Sequence, residues 1–411
     1  MTIAAEIKNC LQNIKTKIWC VVVKTKYPGH KIVIRDQVFD IGNNINIVED
    51  LSAIIITGSL DLPNVTFESW STAGLRKYDA ISIYFKYFDS DIDRQNSTVN
   101  DMDLILTGYI DTLPISEDKS IGLNYNGLTF KSTLGLAWER TSQIPFTTLP
   151  VKDIINTALK QTDLRAFVTD IVYDSGIPDY LNPKIDSTYY FGNVLEQIRD
   201  KYAIQIYQTG KGVLYIRRPS YFYNAELTVY EYDIQENIFN IDYGDITQKV
   251  DSVCVLGSNC AGIAFDPIAY QLRLGETPDG TTVVPEGDKL NPLFLNRRDF
   301  YSQEDCQKFA REKLVELAKN YAISFDTIYQ TDQNIGDMFI IKNSSVIDEN
   351  QKWIIKSRTV TISKDSIICN VVGYSNSIQD LPENILLSAI GVLDTDILEL
   401  SNRDVIATVL R

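Results

Sequence analysis

Apolar and polar positions alternate along the first third of the chain. Lys17–Val23, Lys31–Arg35, Ile45–Val48 and Ala53–Thr57 are short, β-branched runs. Asp79–Phe88, Leu104–Ile110 and Ile121–Phe130 are stronger ones, and Pro28-Gly29, Gly42-Asn43-Asn44, Pro63-Asn64 and Asn126-Gly127 punctuate them as turns. Many short strands with such punctuation predict an antiparallel barrel or sandwich.

The period changes after about residue 131. Val151, Ile154, Ile155, Ala158 and Leu159 lie on one helical stripe behind Pro150, and Phe191, Val194, Leu195, Ile198 and Tyr202 form a second. Ala203–Gln208 and Val213–Arg218 then read as a hairpin turning through Gly210-Lys211-Gly212. Strands return at Leu227–Tyr232, Ile238–Tyr243 and Val250–Leu256. A Gly/Pro-rich interval, Gly257–Tyr301, reads as an inserted loop. Ser302 and Asp305 open a helix with apolar positions Phe309, Ala310, Leu314, Leu317, Ala318 and Tyr321. Ile323–Tyr329, Met338–Ile341, Lys352–Thr361 and Ile367–Tyr374 are the last strands.

The expected fold class is mainly β with α+β. Two tube-like antiparallel β-barrel domains, 1–130 and 221–257 with 302–375, flank a small α/β domain at 131–220. Residues 258–301 form a loop-rich insertion in the second barrel, and 376–411 form a C-terminal docking arm with six acidic side chains against two arginines.

Two segments echo each other. Leu104–Gly127 and Gln351–Tyr374 align with one gap, so that Ile115-Ser116-Glu117-Asp118 meets Ile362-Ser363-Lys364-Asp365. Each follows a strand that opens near an aspartate, Asp79 or Asp337. Any hairpin with a polar turn shares part of this pattern. Taken as a repeat, it makes one chain resemble two subunits of a ring, and three chains present six near-equivalent positions.

Composition narrows the chemistry. The chain has 411 residues, enough for about two to four domains. Lys plus Arg total 39 against 54 Asp plus Glu, a net charge of −15. This opposes any grip on nucleic acid by phosphate neutralisation. The single histidine, His30, follows a turn-like Tyr27-Pro28-Gly29 and is expected in an exposed loop, which removes histidine-rich metal sites and most triads. Cys10, Cys20, Cys254, Cys260, Cys306 and Cys369 form no CxxC and read as free thiols of a reducing compartment. The first 17 residues lack a signal peptide's apolar core, and no run is long enough to span a bilayer, so synthesis in the host cytoplasm without a membrane anchor is expected.

No catalytic set emerges, and no cofactor is expected. Asp89, Asp91 and Asp93 begin like a calcium loop, but Arg94 stands where glycine belongs and Asn100 where glutamate belongs. A solvated hairpin tip is the alternative, and the three remain the one metal candidate. Gly257-Ser258-Asn259-Cys260-Ala261-Gly262 lacks phosphate-loop spacing. The doublets Arg217-Arg218 and Arg297-Arg298 either salt-bridge an acidic neighbour or sit at exposed strand ends. Tyr221-Phe222-Tyr223 and Tyr84–Phe88 are aromatic runs suited to interfaces, sugar stacking or sheet packing.

The order of elements resembles the tail hub proteins of bacteriophages, the late control protein family, whose module recurs in contractile injection systems and type VI secretion spikes. The likeness rests on Ile105–Asp111 with its hairpin; on Leu149–Leu159, Asn193–Ala203 and Gly212–Ile216; and on Ser302–Ala318 leading to Ile335–Ile340. It implies two tube-like barrels and a homotrimeric, pseudo-sixfold ring in the virion tail. Such a ring joins the tail tube or distal tail protein to a spike or tip protein. It lines the channel for the tape measure protein and for DNA, which passes without specific binding. The chain carries no fused spike and no lysozyme-like insert, so a separate tip protein is implied and the role is not enzymatic. Two other readings stay open: a hub of a non-phage contractile injection system, and a carbohydrate-binding or carbohydrate-cleaving tail-tip module.

Overall fold

The computed structural model describes residues 16–23, 25–27, 30–31, 37–40, 45–65, 77–87, 91–113, 116–118, 122–138, 152–153, 155–156, 170–174, 177, 190–223, 227–245, 250, 252–265, 292–317, 321–362, 367–375 and 391–392. The first strands are β1 (Thr16–Val23), β2 (Thr25–Tyr27), β3 (His30–Lys31), β4 (Gln37–Asp40), β5 (Ile45–Asp50), β6 (Thr57–Val65), β7 (Ala80–Tyr87), β8 (Asp103–Thr112), β9 (Ser116–Asp118) and β10 (Gly122–Ser132). The middle of the chain supplies β11 (Asp170–Tyr173), β12 (Gln205–Gln208) and β13 (Val213–Arg217). Then come β14 (Val229–Asp233), β15 (Ile238–Asp245), β16 (Ser252–Leu256), β17 (Ala261–Phe265), β18 (Pro292–Asn296), β19 (Tyr321–Thr327), β20 (Met338–Lys342), β21 (Trp353–Ile362), β22 (Ile367–Ser375) and β23 (Gly391–Val392). Helices are α1 (Asp91–Asn96), α2 (Leu134–Trp138), α3 (Phe191–Tyr202) and α4 (Gln303–Leu317).

Among the described residues, fourteen strands from both ends of the chain join one curled, half-barrel sheet, ordered β15-β19-β22-β21-β5-β6-β10-β8-β7-β1-β4, with β20 beside β21, β14 beside β20 and β9 beside β10. Strand alternation sets its two faces. In β5, Ile45, Ile47 and Glu49 point inward while Asn46 and Val48 point out. Ile83, Phe85, Leu106, Ile110, Phe130, Phe325, Phe339 and Trp353 fill the core side.

The α/β part packs against this sheet. In α3 the stripe of Val194, Leu195 and Ile198 is fully buried, and Ala203 ends the helix in the left-handed region at φ 50°. Antiparallel β12–β13 with parallel β11 form its sheet. At the hairpin tip the Gly210 carbonyl accepts from Thr107 N–H of β8 at 2.8 Å. A Cβ on Gly210 would lie 2.0 Å from the Ile105 carbonyl oxygen, so only glycine permits this docking. A third sheet, β18-β16-β17-β23, carries α4, whose start is capped by the Ser302 hydroxyl accepting from Asp305 N–H at 3.0 Å.

Several local expectations change. Ala53–Thr57 is not a strand: residues 51–56 turn, with Ile54 and Ile56 buried as plugs. Strand β6 starts at Thr57 and runs through Pro63-Asn64, expected as a turn; the proline falls where the β6–β10 register shifts, a position that needs no donor. Tyr321 opens β19 rather than closing α4. His30 opens β3, opposite Tyr27 of β2, not a loop. Gly257–Tyr301 begins and ends with β17 and β18, while 266–291 lie outside the described residues. Of the helix expected at Val151–Leu159, residues 152–153 and 155–156 are helical and the rest lies outside the described residues.

Candidate functional site

The strands β5, β6, β7, β8 and β10 have the connectivity of β15, β19, β20, β21 and β22. The first set lies in the sheet as β5-β6-β10-β8-β7 and the second as β15-β19-β22-β21-β20. Register carries the likeness to single residues. Ile45 faces Leu60 and Ile47 faces Gly58 in the first unit; Ile241 faces Phe325 and Tyr243 faces Ile323 in the second. Ile110 faces Phe130, as Ile355 faces Gly373. One step further along, each hairpin slips by a residue, leaving Asp111 and Lys356 as the extra residues.

The entry to the third strand also repeats. Tyr78 and Gly336 both hold positive φ, 73° and 84°. Tyr78 N–H donates to the Ile110 carbonyl at 2.8 Å, and Ile110 N–H to the Asp79 carbonyl at 3.0 Å. Gly336 N–H and Ile355 N–H make the same two bonds, to the Ile355 and Asp337 carbonyls, at 2.8 and 3.0 Å. Bulk is exchanged rather than kept. A Cβ on Gly58 would strike the Phe130 ring at 2.3 Å, whereas in the second unit Gly373 takes the place of Phe130 and leaves room for the Phe339 ring.

The two units meet side by side. Strand β21 pairs antiparallel with β5 from Ser357↔Asp50 to Ile362↔Ile45. At this seam Arg358 and Glu49 are register partners, 2% and 4% exposed. Arg358 Nε donates to Glu49 Oε2 at 2.8 Å, Nη2 donates to the same oxygen, and Nη1 donates to the carbonyls of Gln330 and Gln333. Burial alone would lower the guanidinium pKa; the Glu49 carboxylate outweighs it, and the net direction is upward. Nearby, burial pushes the Asp337 carboxyl up to about 6, against the opposing Asn334 N–H, Arg358 and Arg217.

Neither Glu49 nor Arg358 stood out as a site in the sequence. The signal was there: Glu49 shares the inward parity of Ile45 and Ile47, and Arg358 that of Val360 and Ile362. A charge on the inward side of an alternating strand calls for a partner.

The chemistry candidates disperse. Asp91 and Asp93 fall on α1, between β7 and β8, and Asp89 lies outside the described residues. Among the described residues no three His, Cys, Asp or Glu side chains group to hold a metal. Arg217 is not an exposed strand end: it stacks 4.2 Å from the ring centres of both Tyr215 and Tyr221 and donates to Tyr207 Oη at 2.8 Å. Arg218 pairs with buried Asp174 at 2.8 Å. Arg297 pairs with Asp299 and lies over Phe300, while Arg298 is exposed. The Gly257–Gly262 turn packs on α4, where a Cβ on Gly262 would lie 2.3 Å from Cys306 backbone. Cys254, Cys260, Cys306 and Cys369 are free and buried. Burial, and then the neighbouring Cys260 thiol at 3.5 Å, push the Cys306 thiol up, so Cys306 is not a poised nucleophile. Among the described residues no helix is long and apolar enough to cross a membrane.

No protein-family model and no curated protein matches the chain by sequence. Solved structures do match by shape. A tail protein from Neisseria meningitidis superposes with a TM-score of 0.60 at 10% identity, covering 88% of this chain and 96% of that one. The 43 kDa tail protein of prophage MuSo2 from Shewanella oneidensis gives 0.55 at 10% identity, over 90% and 99%. A chain of the Francisella PdpA–VgrG complex gives 0.51 at 9% identity, over 88% of this chain and 58% of that one. The likeness runs through nearly the whole of both tail proteins, and the chain is therefore built on the fold of prophage tail proteins.

Proposed function

We propose that this chain is the structural hub of a phage-type tail. Three copies form a ring in which six β units, two per chain, match a sixfold tail tube on one side and meet a threefold spike or tip protein on the other. The observation that carries this reading is the in-register repetition of β5-β6-β10-β8-β7 as β15-β19-β22-β21-β20, with the two copies already seated edge to edge. In this reading residues 1–130 and 221–257 with 302–375 hold the two barrel domains, with the α/β domain at 131–220 between them and 258–301 as an insertion in the second. The whole-length similarity to two tail proteins supports it. A hub of a non-phage injection particle is the second reading, favoured by the similarity to a PdpA–VgrG chain.

The role is mechanical rather than catalytic. The sheet face turned away from the core offers Asn46, Thr57, Ser59, Thr112 and Thr129 in the first unit and Asp242, Ser324, Asp326 and Asn370 in the second. Short hydroxyls, amides and carboxylates suit a wall that a tape measure protein and DNA slide past, because like charge repels phosphate. The net charge of −15 agrees with that use. Part of the C-terminal arm stays with its own chain, since β23 pairs with β17; the remainder is the proposed docking segment for the tip. Light scattering on the purified chain, alone and mixed with its tube protein, tests the reading. It predicts a complex holding three copies of the 46.6 kDa chain; a one-to-one complex of monomers refutes it.

A further inference from the structure

We propose that Cys260 and Cys306 are a latent disulfide site: a two-electron thiol oxidant joins them and so fastens the third sheet to α4. The proposal goes beyond the hub reading and holds with or without it.

Two turns and a helix start converge at this pair. The turn between β16 and β17 meets the turn at 297–300 through Ser258 N–H, which donates to the Phe300 carbonyl at 2.8 Å. Cys306 lies in the first turn of α4 and is 0% exposed, while Cys260 is 9% exposed. Their sulfurs stand 3.5 Å apart, in van der Waals contact, so no atom fits between them. The Cys260 thiol also donates to the Phe300 carbonyl at 3.7 Å.

Glycines keep the space for this contact. A Cβ on Gly257 would lie 2.4 Å from Cys260 Sγ and 3.0 Å from Cys306 Sγ. One on Gly262 would lie 2.3 Å from the Cys306 backbone. A side chain at either position would push the turn or β17 off the helix and part the sulfurs. A disulfide needs about 2.05 Å between its sulfurs, so closing takes about 1.5 Å of travel shared by two side chains.

Hydrogen peroxide is a sufficient oxidant. The sulfur of Cys260, the more exposed of the two, attacks one peroxide oxygen; the S–O bond forms, the O–O bond breaks and one water leaves. The Cys306 sulfur then attacks the Cys260 sulfur; the S–S bond forms, the S–O bond breaks and a second water leaves. Two thiols lose two protons and two electrons, and one peroxide becomes two waters. Burial pushes the Cys306 thiol up and so slows the second step. Slow closing suits a chain made in a reducing compartment that later waits in an oxidising one, not a peroxidase.

The link joins residues 46 positions apart and closes the chain from β17 to α4 into a loop. Helix α4 is tied in turn to the α/β domain. The Glu312 carboxylate accepts from Ser220 N–H at 3.1 Å and from the Ser220 hydroxyl at 2.9 Å. A closed link therefore holds β16 and β17 to that domain through the helix.

The test uses the full chain, purified with reductant and then held in hydrogen peroxide. Free thiols are capped with iodoacetamide in urea, and the peptides are read by mass spectrometry. The account expects one link per chain, between 260 and 306, reversed by dithiothreitol. Cys260→Ser and Cys306→Ser should each abolish it. Hydrogen exchange is the second readout and needs no variant. Amides of 252–265 and 303–310 should slow at least about tenfold in the oxidised chain and recover on reduction. Free thiols at both positions, while the urea-unfolded chain oxidises in the same peroxide, overturn the site. Sulfinic acid at Cys260 without a link, or a link to another cysteine, overturns it too. A link that leaves exchange unchanged refutes the fastening.

Discussion

Substituting the buried pair at the internal seam gives the sharpest energetic prediction. Arg358→Met leaves the Glu49 carboxylate buried without its cation, and Glu49→Leu leaves the Arg358 guanidinium buried without its anion. Removing one member of a buried pair costs about 3–5 kcal/mol, because the survivor is desolvated and uncompensated. A domain of ordinary stability has only about 5–15 kcal/mol to lose. Removing both, as Glu49→Leu with Arg358→Met, takes away both desolvation costs. What remains is the loss of the donor that serves the Gln330 and Gln333 carbonyls, about 1 kcal/mol each. The double variant should therefore be about 2 kcal/mol less stable than the wild type and more stable than either single variant. The coupling energy should exceed about 3 kcal/mol. Urea unfolding followed by circular dichroism measures all four corners of the cycle, and hydrogen exchange in β5 reports whether the loss is local to the seam. Additive single effects, or single effects below about 1 kcal/mol, would refute the claim that this pair clamps the two units.

Three further predictions use other parts of the molecule. The Asp337 carboxyl is held up to about 6, so the folded protein keeps a proton that the unfolded chain loses from about pH 4. Its contribution to stability is present below pH 4 and is lost as pH rises through 6. Asp337→Asn should remove that slope and stabilise the protein above pH 7 by at most about 3 kcal/mol, read from unfolding midpoints across pH. Ser302→Ala removes the hydroxyl that caps α4 and should cost about 1 kcal/mol in the same assay. Gly127→Ala and Gly336→Ala share a positive φ, but only at Gly336 does a Cβ meet a neighbour, the Phe222 ring at 2.7 Å. The first should cost about 1 kcal/mol and the second clearly more, with equal losses contradicting the packing argument.

The strong strands were legible in the sequence because one face of each is buried. Asp79–Phe88, Leu104–Ile110, Lys352–Thr361 and Ile367–Tyr374 all lie within a residue or two of observed strands. The α3 stripe and the Ser302 cap were legible for the same reason: local periodicity and capping chemistry do not depend on distant partners. Ala53–Thr57 misled because its isoleucines are buried from a turn, and burial leaves the same mark on sequence as a strand does. The repeat was visible only through its hairpin. Sequence matched Ile115 with Ile362, whereas strand pairing matches Ile110 with Ile355, two residues out of step. The exchange of Phe130 and Gly58 for Gly373 and Ile323 explains why residue identity hid the register: volume is conserved across the pair of strands, not at either position. Inward parity marks Glu49 and Arg358 as each needing a partner, but the pairing itself could not be read, since the two are 309 positions apart and nothing in the sequence couples them.

An electron cryo-microscopy reconstruction of the assembled ring, at a resolution that traces strands, tests the central claim most directly. The account predicts three chains whose six β units follow one another by rotations of about 60°. A ring in which the units at 45–132 and 238–375 stand at unrelated angles would contradict it.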